Sequence, residues 1–573
     1  YHICNTLIHH IMINLSSHKA FSIYLLFAAL FLGVQMFQGL SYLDIGMYMS
    51  GYQHFTSDPY ASYFLGQWIL TYDVTSALCK LFSINAFLGL RVLHLVYVLV
   101  TQTVVYLYLR QYISTRSIIT GLLIATLAHY GSYTEINYND YSALLFLLSI
   151  LCYHGGADRD NQWIIMMGGV LAGVAVYFRI VNITYICLPL CAMLISKKWN
   201  NGHSPSNGAT FFYIGMCFGG LLGYVVLLCQ GLDNVFALTF NDIAGISSDK
   251  SDTHGMLYVM RSMYDLYTEV VANAGYIMLF WIIIVAGMKQ TRRIMRITLV
   301  AVAIVLTLVM MNFSFFPSNI TMALCLIGGV GVFFIRGVYP PLAHLVMISL
   351  FLPFVMPVGS NAEPSFYGKE TCFLTLPLVM YVLFEELMPK KEQLERRAAM
   401  CMIGVLGAGL LFFNLTHKQM EEGNRIACRY TVDSQLTRGI LTTKENADMY
   451  NYLIREVKPH IRQGSYMICS FSLPAVSILD CKPWAVYSTV YSTDRMNDRY
   501  IKVAWKHTKE LPYVLLDEEN LPDGYKHIME ELSLIRKYQK IWTDGKYSLY
   551  YSKPYPGPER PKITDIDPYR HHP

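Results

Sequence analysis

Long apolar runs recur along the first 415 or so residues, and short polar segments separate them. The first run, residues 20–43, carries no charge and is long enough to cross a bilayer as one helix. The runs predict about thirteen spans. These lie at about 20–40, 86–109, 118–132, 140–155, 161–178, 180–196, 210–230, 274–288, 297–313, 318–335, 340–358, 371–386 and 398–415. The pattern therefore predicts an α-helical polytopic membrane domain over residues 1–415.

Two of the segments between predicted spans are long and amphipathic. Residues 41–85 and 231–273 mix aromatic, apolar and polar positions, which predicts helices lying along the membrane surface. Segments that only pack against the helical bundle would show the same pattern, so both interpretations stay open.

After about residue 416 the pattern changes, and charged residues alternate with short helical and strand-like stretches. Residues 442–457 predict a helix, 465–470 and 513–517 predict buried strands, and 538–552 predict a hairpin around Asp544-Gly545. This indicates a small α/β domain over residues 416–552. The Pro-rich segment 553–573 is predicted to be disordered.

Charge gives the orientation. Lys and Arg cluster in one set of loops, and Asp and Glu cluster in the alternate set. By the positive-inside rule, the N-terminus is cytoplasmic and the C-terminal domain is extracytoplasmic, in a membrane expected to be the bacterial inner (plasma) membrane. Only 14% of residues are charged, and the mean hydropathy is +0.36. The net charge of +5 arises from short basic loops, so it does not predict a nucleic-acid partner.

The 13 cysteines include no C-x-x-C pair, which weakens a zinc or redox interpretation. Cys469 and Cys481 both fall in the polar C-terminal region. A disulfide between them and two free thiols are both open at this point.

Asp44 is the first charge after Lys19, and it lies where the first predicted span should leave the membrane. A carboxylate at a membrane surface suits a general base that acts on a lipid-linked substrate. The alternatives are a cap at the end of the span and a solvated loop charge.

The next exterior turn, residues 133–141, is also acidic. It contains Glu135 and Asp140 together with two Asn and three Tyr. Aromatic faces and amide donors suit a sugar, and the two carboxylates also suit a divalent cation. A polar helix tip with a capping Asn or Asp explains the composition equally well.

Three cations lie on the predicted exterior side, against the charge bias: Arg91, Arg179 and Lys369. Charged residues at membrane depth are costly and tend to be functional, and each of these could bind a lipid phosphate. Pairing with an exterior acid is the alternative, above all for Lys369, because Glu370 is adjacent.

These features together resemble the GT-C superfamily of membrane glycosyltransferases. They are an acid after the first span (Asp44), an Arg at the start of the second (Arg91), an acidic second turn (Glu135 and Asp140) and a C-terminal exterior domain. The resemblance implies a polyprenyl-phosphate-linked sugar donor and a glycan, lipid or protein acceptor. It gives Asp44 the role of base and Asp140 or Glu135 a supporting role.

The chain also departs from that family's common pattern. Asp44 is followed by Ile45 rather than by a second acid, and the C-terminal region lacks the WWD-type motif of oligosaccharyltransferases. Transfer of a single sugar is therefore expected rather than transfer of a whole oligosaccharide.

Three other functions are compatible with a polytopic membrane protein. An O-antigen-type polymerase or ligase would place its large exterior loop late among the spans. A transporter or flippase would show repeated halves and charges near mid-membrane. A non-catalytic scaffold would need no cavity beside Asp44.

Overall fold

The computed structural model describes twelve continuous stretches of the chain. It also describes most of residues 504–521 and scattered residues between 292 and 302. The stretches are 2–40, 44–55, 63–129, 135–199, 206–247, 256–289, 317–334, 340–356, 364–387, 393–416, 425–484 and 523–552. The predicted disordered segment, 553–573, lies outside the described residues, and so does most of the predicted span 297–313.

The described part of the chain is mostly helical. Its helices are α1 (His2–Gln35), α2 (Asp44–His54), α3 (Ile69–Leu81), α4 (Phe87–Leu109), α5 (Thr115–Ala128), α6 (Tyr138–Asp158), α7 (Gln162–Phe178), α8 (Leu188–Trp199), α9 (Ser206–Gln230), α10 (Asp233–Ser247), α11 (Met256–Lys289), α12 (Pro317–Phe334), α13 (Pro340–Ser349), α14 (Phe351–Val355), α15 (Pro364–Tyr381), α16 (Gln393–Thr416), α17 (Lys444–Tyr452), α18 (Leu473–Ile478) and α19 (Asp523–Ile535). Short 3-10 helices at Tyr63–Trp68 and Ile180–Cys187 precede α3 and α8.

Within the described residues, four helices are long and apolar enough to cross a membrane: Ser17–Gln35, Phe87–Leu109, Gly208–Gln230 and Met263–Ile283. Six further helices are apolar but shorter. The surface of α1 is apolar as well, because Leu26, Leu30 and Val34 are 61%, 62% and 62% exposed. A stripe of large apolar side chains at this spacing suits a lipid environment. The chain is a helical membrane protein, and the predicted number of spans stays a prediction.

One boundary differs from the sequence prediction. The sequence predicts that the amphipathic stretch around 256–271 belongs to a surface loop, with a separate span at 274–288. Instead α11 runs without a break from Met256 to Lys289. Its first half carries polar residues but no Pro, so nothing local ends the helix before the apolar half.

Small residues let the helices of the bundle approach closely. A Cβ added at Gly169 in α7 would overlap the Phe212 carbonyl of α9, and one added at Gly215 in α9 would overlap the Met166 carbonyl of α7. Glycines at facing positions of two packed helices are typical of membrane bundles, where close backbone packing replaces the hydrophobic effect.

The C-terminal region holds a five-stranded sheet in the order β2-β1-β3-β5-β4. The strands are β1 (Tyr466–Cys469), β2 (Lys482–Pro483), β3 (Tyr513–Asp517), β4 (Tyr538–Thr543) and β5 (Tyr547–Ser552). Strand β1 pairs in parallel with β2 and β3, whereas β5 runs antiparallel to both β3 and β4. The predicted strands and the hairpin around Asp544-Gly545 are confirmed. Cys469 and Cys481 are buried free thiols, and burial raises the pKa of each to about 12.

Backbone hydrogen bonds fasten this sheet domain to one end of the bundle. Gly39 N donates to Leu441 O over 2.8 Å, and Leu441 N donates back to Phe37 O over 2.8 Å. Phe87 N, at the start of α4, donates to Leu436 O over 3.0 Å. We call the end of the bundle where α1 stops and α4 starts the domain-facing end.

Candidate functional site

Helix ends gather polar side chains at the domain-facing end. Helices α4 and α6 begin there, and α5 and α7 end there, because consecutive helices run antiparallel. The residues brought to this end are Arg91, His94, His129, Glu135, Asn139, Asp140 and Arg179, each of them at most 6% exposed.

Arg91 and Glu135 form a buried ion pair. Arg91 Nε lies 2.5 Å from Glu135 Oε1, and their side chains are 1% and 0% exposed. The Arg91 guanidinium also donates to the carbonyls of Met36, Gln38 and Gly39, over 2.7, 3.2 and 2.6 Å. Arg91 thereby joins the end of α1 to α4 and to the acidic turn. Pairing with an acid is the alternative that the sequence left open for this residue.

Asp140 stabilises the start of α6 through a capping box. Its Oδ2 accepts from Asn137 N over 3.0 Å, while Asn137 Oδ1 accepts from Asn139 N over 2.8 Å. Reciprocal bonds of this kind satisfy N–H groups that have no partner within the helix. The capping role expected as one explanation of the turn is therefore present.

The same carboxylate oxygen also meets a histidine. His94 Nδ1 lies 2.9 Å from Asp140 Oδ2, and His94 Nε2 lies 3.0 Å from His129 Nε2. When His94 is neutral with its proton on Nδ1, it donates to Asp140 and accepts from His129. Asp140, His94 and His129 thus form a buried chain able to hold a proton at defined nitrogen atoms.

The other oxygen of Asp140 differs. Asp140 is 0% exposed, yet its Oδ1 makes no hydrogen bond to any residue that the structure describes. The amide of Asn139, also 0% exposed, makes none with either of its polar atoms across the same described residues. Leaving such groups unsatisfied costs about 1–3 kcal/mol each, so in native proteins a residue, an ordered water or a ligand usually satisfies them. These neighbouring groups suit hydrogen bonding to a polar ligand.

Aromatic rings cover the turn on one side. Trp68 stacks on Tyr138 with centroids 4.5 Å apart, and Tyr48 meets Tyr138 edge to face at 6.2 Å. The guanidinium of Arg179 lies 5.9 Å from the centroid of the Tyr138 ring, and its Nη1 donates to Met356 O over 3.2 Å. The stacked rings lie beside the amide and carboxylate groups of the turn, and the sugar site expected here stays a prediction.

Asp44 is the first residue of α2, and its side chain lies outside the described residues. Helix α2 itself contacts the acidic turn. Tyr52 in its last turn donates from its hydroxyl to Ile136 O, next to Glu135, over 2.7 Å. Burial, with smaller contributions from Tyr72, Tyr141 and Asp140, raises the pKa of Tyr52 well above its ordinary value, so this hydroxyl stays a donor.

Lys369 lies in the first half of α15, and its side chain also falls outside the described residues. Its proposed contact with a donor phosphate therefore stays a prediction.

His94, His129 and Asn139 were not singled out from the sequence. One signal was available for His94, because it follows Arg91 by three residues and so shares one face of α4. His129 is 35 residues from His94, and no periodicity relates them. For Asn139, the sequence signal is only its place in the polar turn.

The expected divalent cation has no visible ligand set in this part of the molecule. Within the described residues, no group of three or more His, Cys, Asp and Glu is arranged to hold a metal. Because the Asp44 side chain is outside those residues, the cation stays a prediction.

No protein-family model matches this chain, and no curated protein matches it. Among solved structures, the chain is similar to an oligosaccharyltransferase from Archaeoglobus fulgidus, crystallised as a complex with zinc and sulfate. The two chains share 11% identity with a TM-score of 0.45, over 86% of this chain and 68% of the other. At this level the likeness carries no conclusion about activity.

Proposed function

We propose that this protein is an integral membrane glycosyltransferase of the GT-C type. It transfers a sugar from a polyprenyl-phosphate donor to a glycan, lipid or protein acceptor at the outer face of the membrane. The observation that carries this proposal is the contact of α2, the helix that begins with Asp44, with the turn that bears Asn139 and Asp140: Tyr52 of α2 bonds Ile136 O, and the Tyr48 ring meets Tyr138.

The chemistry requires few protein groups. Asp44 takes the proton of the acceptor hydroxyl while the oxygen of that hydroxyl bonds to the anomeric carbon of the donor sugar. The bond from that carbon to the phosphate oxygen breaks, and its electron pair leaves with the phosphate. Asp140 Oδ1 and the Asn139 amide hydrogen-bond the sugar, and Tyr138 and Trp68 provide an aromatic surface beside them.

The cations take different roles in this proposal. Arg179 stabilises the departing phosphate, where negative charge develops. Arg91, already paired with Glu135, holds the acidic turn in place and acts on the reaction through it. Lys369 is a second candidate for the phosphate.

Replacement of the base gives the decisive test. Asp44→Asn should keep the fold and donor binding but lower sugar transfer by about 10²–10⁴-fold, since Asn cannot accept the proton. The assay follows a radiolabelled sugar from lipid donor to acceptor in liposomes. Asp73→Asn is the matched control, because Asp73 is a half-buried carboxylate of α3 that accepts from Gln230 Nε2 and lies outside the acidic turn. Near-wild-type turnover by Asp44→Asn would move the base to Asp140.

The same liposomes separate the competing functions. A flippase would move the labelled lipid between leaflets without forming a glycosylated product. An O-antigen-type polymerase or ligase would transfer glycans only when the acceptor or donor is itself a lipid-linked repeat. Single-sugar products from a monosaccharide donor support the proposal over both.

A further inference from the structure

Helix α2 lies between the acidic turn and the C-terminal domain. On the domain side, Gly46 faces the backbone of α18, where an added Cβ would overlap Leu473 and the nitrogen of Pro474. One turn later, the hydroxyls of Ser50 and Ser477 form a hydrogen bond, and these residues are 2% and 5% exposed. Gly46 and Ser50 share a helix face because they are four residues apart.

The opposite face of α2 meets the turn. Tyr48 and Tyr52 are also four residues apart, and each is displaced by two residues from the Gly46–Ser50 face, which places them on the far side of the helix. Tyr52 bonds Ile136 O, and the Tyr48 ring meets Tyr138. The two faces of an 11-residue helix are therefore held by two different parts of the molecule.

A helix of this length is marginal in isolation, so its position depends on tertiary contacts. We propose that the C-terminal domain is a positioning element of the active site, with Gly46 and Ser50 seating α2, and with it Asp44, against the acidic turn. Gly46 and Ser50 are positioning residues, and the role given to Asp44 rests on the proposed function above.

The first test adds one methyl group. Gly46→Ala should raise hydrogen exchange across residues 44–54 and lower kcat for sugar transfer at least tenfold, with the KM for donor little changed. Gly33→Ala is the matched control, because Gly33 is also helical and a Cβ there meets nothing within 4 Å. Exchange and kcat of Gly46→Ala equal to those of Gly33→Ala would overturn the proposal.

The second test cross-links α2 to α18, so that the contact between them (called the seat below) cannot open. Ser50→Cys combined with Ser477→Cys should form a disulfide on oxidation, since the two hydroxyls are already in contact. If the seated position is the active one, the oxidised double variant keeps the kcat of its reduced form. Oxidation of the wild type and of each single variant controls for the native cysteines.

The outcomes separate this proposal from the function on which it rests. A cross-linked protein that is inactive and regains activity on reduction would show that α2 must leave α18 during turnover. That result would refute the positioning role of the α2–α18 contact, while the proposed glycosyltransferase function would stand. Activity of Asp44→Asn would remove the base, while exchange across 44–54 still tests the seat. Failure of the cross-link to form, with unchanged exchange in Gly46→Ala, would refute the seat without any sugar-transfer assay.

Discussion

Two carboxylates at opposite ends of the bundle, Glu385 and Asp140, both accept hydrogen bonds at the start of a helix, but only Asp140 is fully buried. At the end away from the C-terminal domain, Glu385 Oε1 accepts from Ser114 N and Oγ over 3.0 and 2.7 Å, and from Ser117 Oγ over 2.6 Å, at the start of α5. At the domain-facing end, Asp140 Oδ2 accepts from Asn137 N at the start of α6. Its buried Oδ1 makes no hydrogen bond to a described residue.

The difference lies in burial. Glu385 is partly exposed, so water can solvate its second oxygen. Asp140 is fully buried, so its Oδ1 can be satisfied only by another residue, an ordered buried water or a ligand. A capping carboxylate needs no function beyond structure at an exposed helix end, whereas the buried Asp140 is the one for which we propose a binding role.

The largest expected effect concerns the ion pair that holds the turn. Arg91→Met should destabilise the protein by about 3–5 kcal/mol, because it leaves the Glu135 carboxylate buried without its cation. Thermal unfolding in detergent, followed by loss of the monodisperse species, measures this. Lys458→Met is the control: its pair with Asp480 is 39% exposed on each side and should cost less than about 1 kcal/mol. Equal losses in both variants would contradict the structural role given to Arg91.

The next effect is on activity. Asp140→Asn should preserve the cap, since an amide oxygen can still accept from Asn137 N, but it removes the charge from the site. Hydrogen bonds to charged groups contribute about 1.5–3 kcal/mol, so sugar transfer should fall roughly 10- to 100-fold. The radiolabel assay measures this at saturating donor. A fall in thermal stability without loss of transfer would leave Asp140 with capping alone.

The corresponding change at the other end should be mild. Glu385→Gln keeps an oxygen for Ser114 N and loses only the favourable interaction of a negative charge with the helix N-terminus, about 0.3–1 kcal/mol. Sugar transfer should be unchanged. If transfer fell as far as in Asp140→Asn, the contrast between the two carboxylates would not hold.

The smallest expected effect concerns a carboxylate of the C-terminal domain, Glu518, whose contribution to stability depends on pH. Burial acts to raise the pKa of Glu518, but hydrogen bonds from Ser548, Tyr550 and Lys540 outweigh it and lower that pKa. The stabilisation is therefore present at neutral pH and is lost as the pH falls below about 4.3 through the folded pKa. Because the pair is partly exposed, its contribution should stay under about 1 kcal/mol.

Unfolding temperatures from pH 7 down to pH 3 test this last prediction. Glu518→Gln should flatten the acid side of the profile relative to the wild type. An unchanged profile would assign the acid sensitivity to other carboxylates.

The sequence indicates the acidic turn and the cations near it, because composition alone shows where charge interrupts an apolar pattern. It left open whether Arg91 pairs with an acid, since that depends on how the end of α1 folds back onto α4. It missed His94 and His129 because neither histidine carries a local motif, and their contact exists only once α4 and α5 pack.

By itself, the sequence determined the membrane class, the apolar helices and the hairpin of the C-terminal domain, since hydropathy, helical spacing and turn residues act over short distances along the chain. Tertiary structure alone decided which groups meet. Gly46 contacts Leu473, and His94 contacts Asp140, across 427 and 46 residues, and no periodic pattern encodes such pairs. Asp140 is fully buried because several helices pack around it, and burial is a property of the assembled bundle.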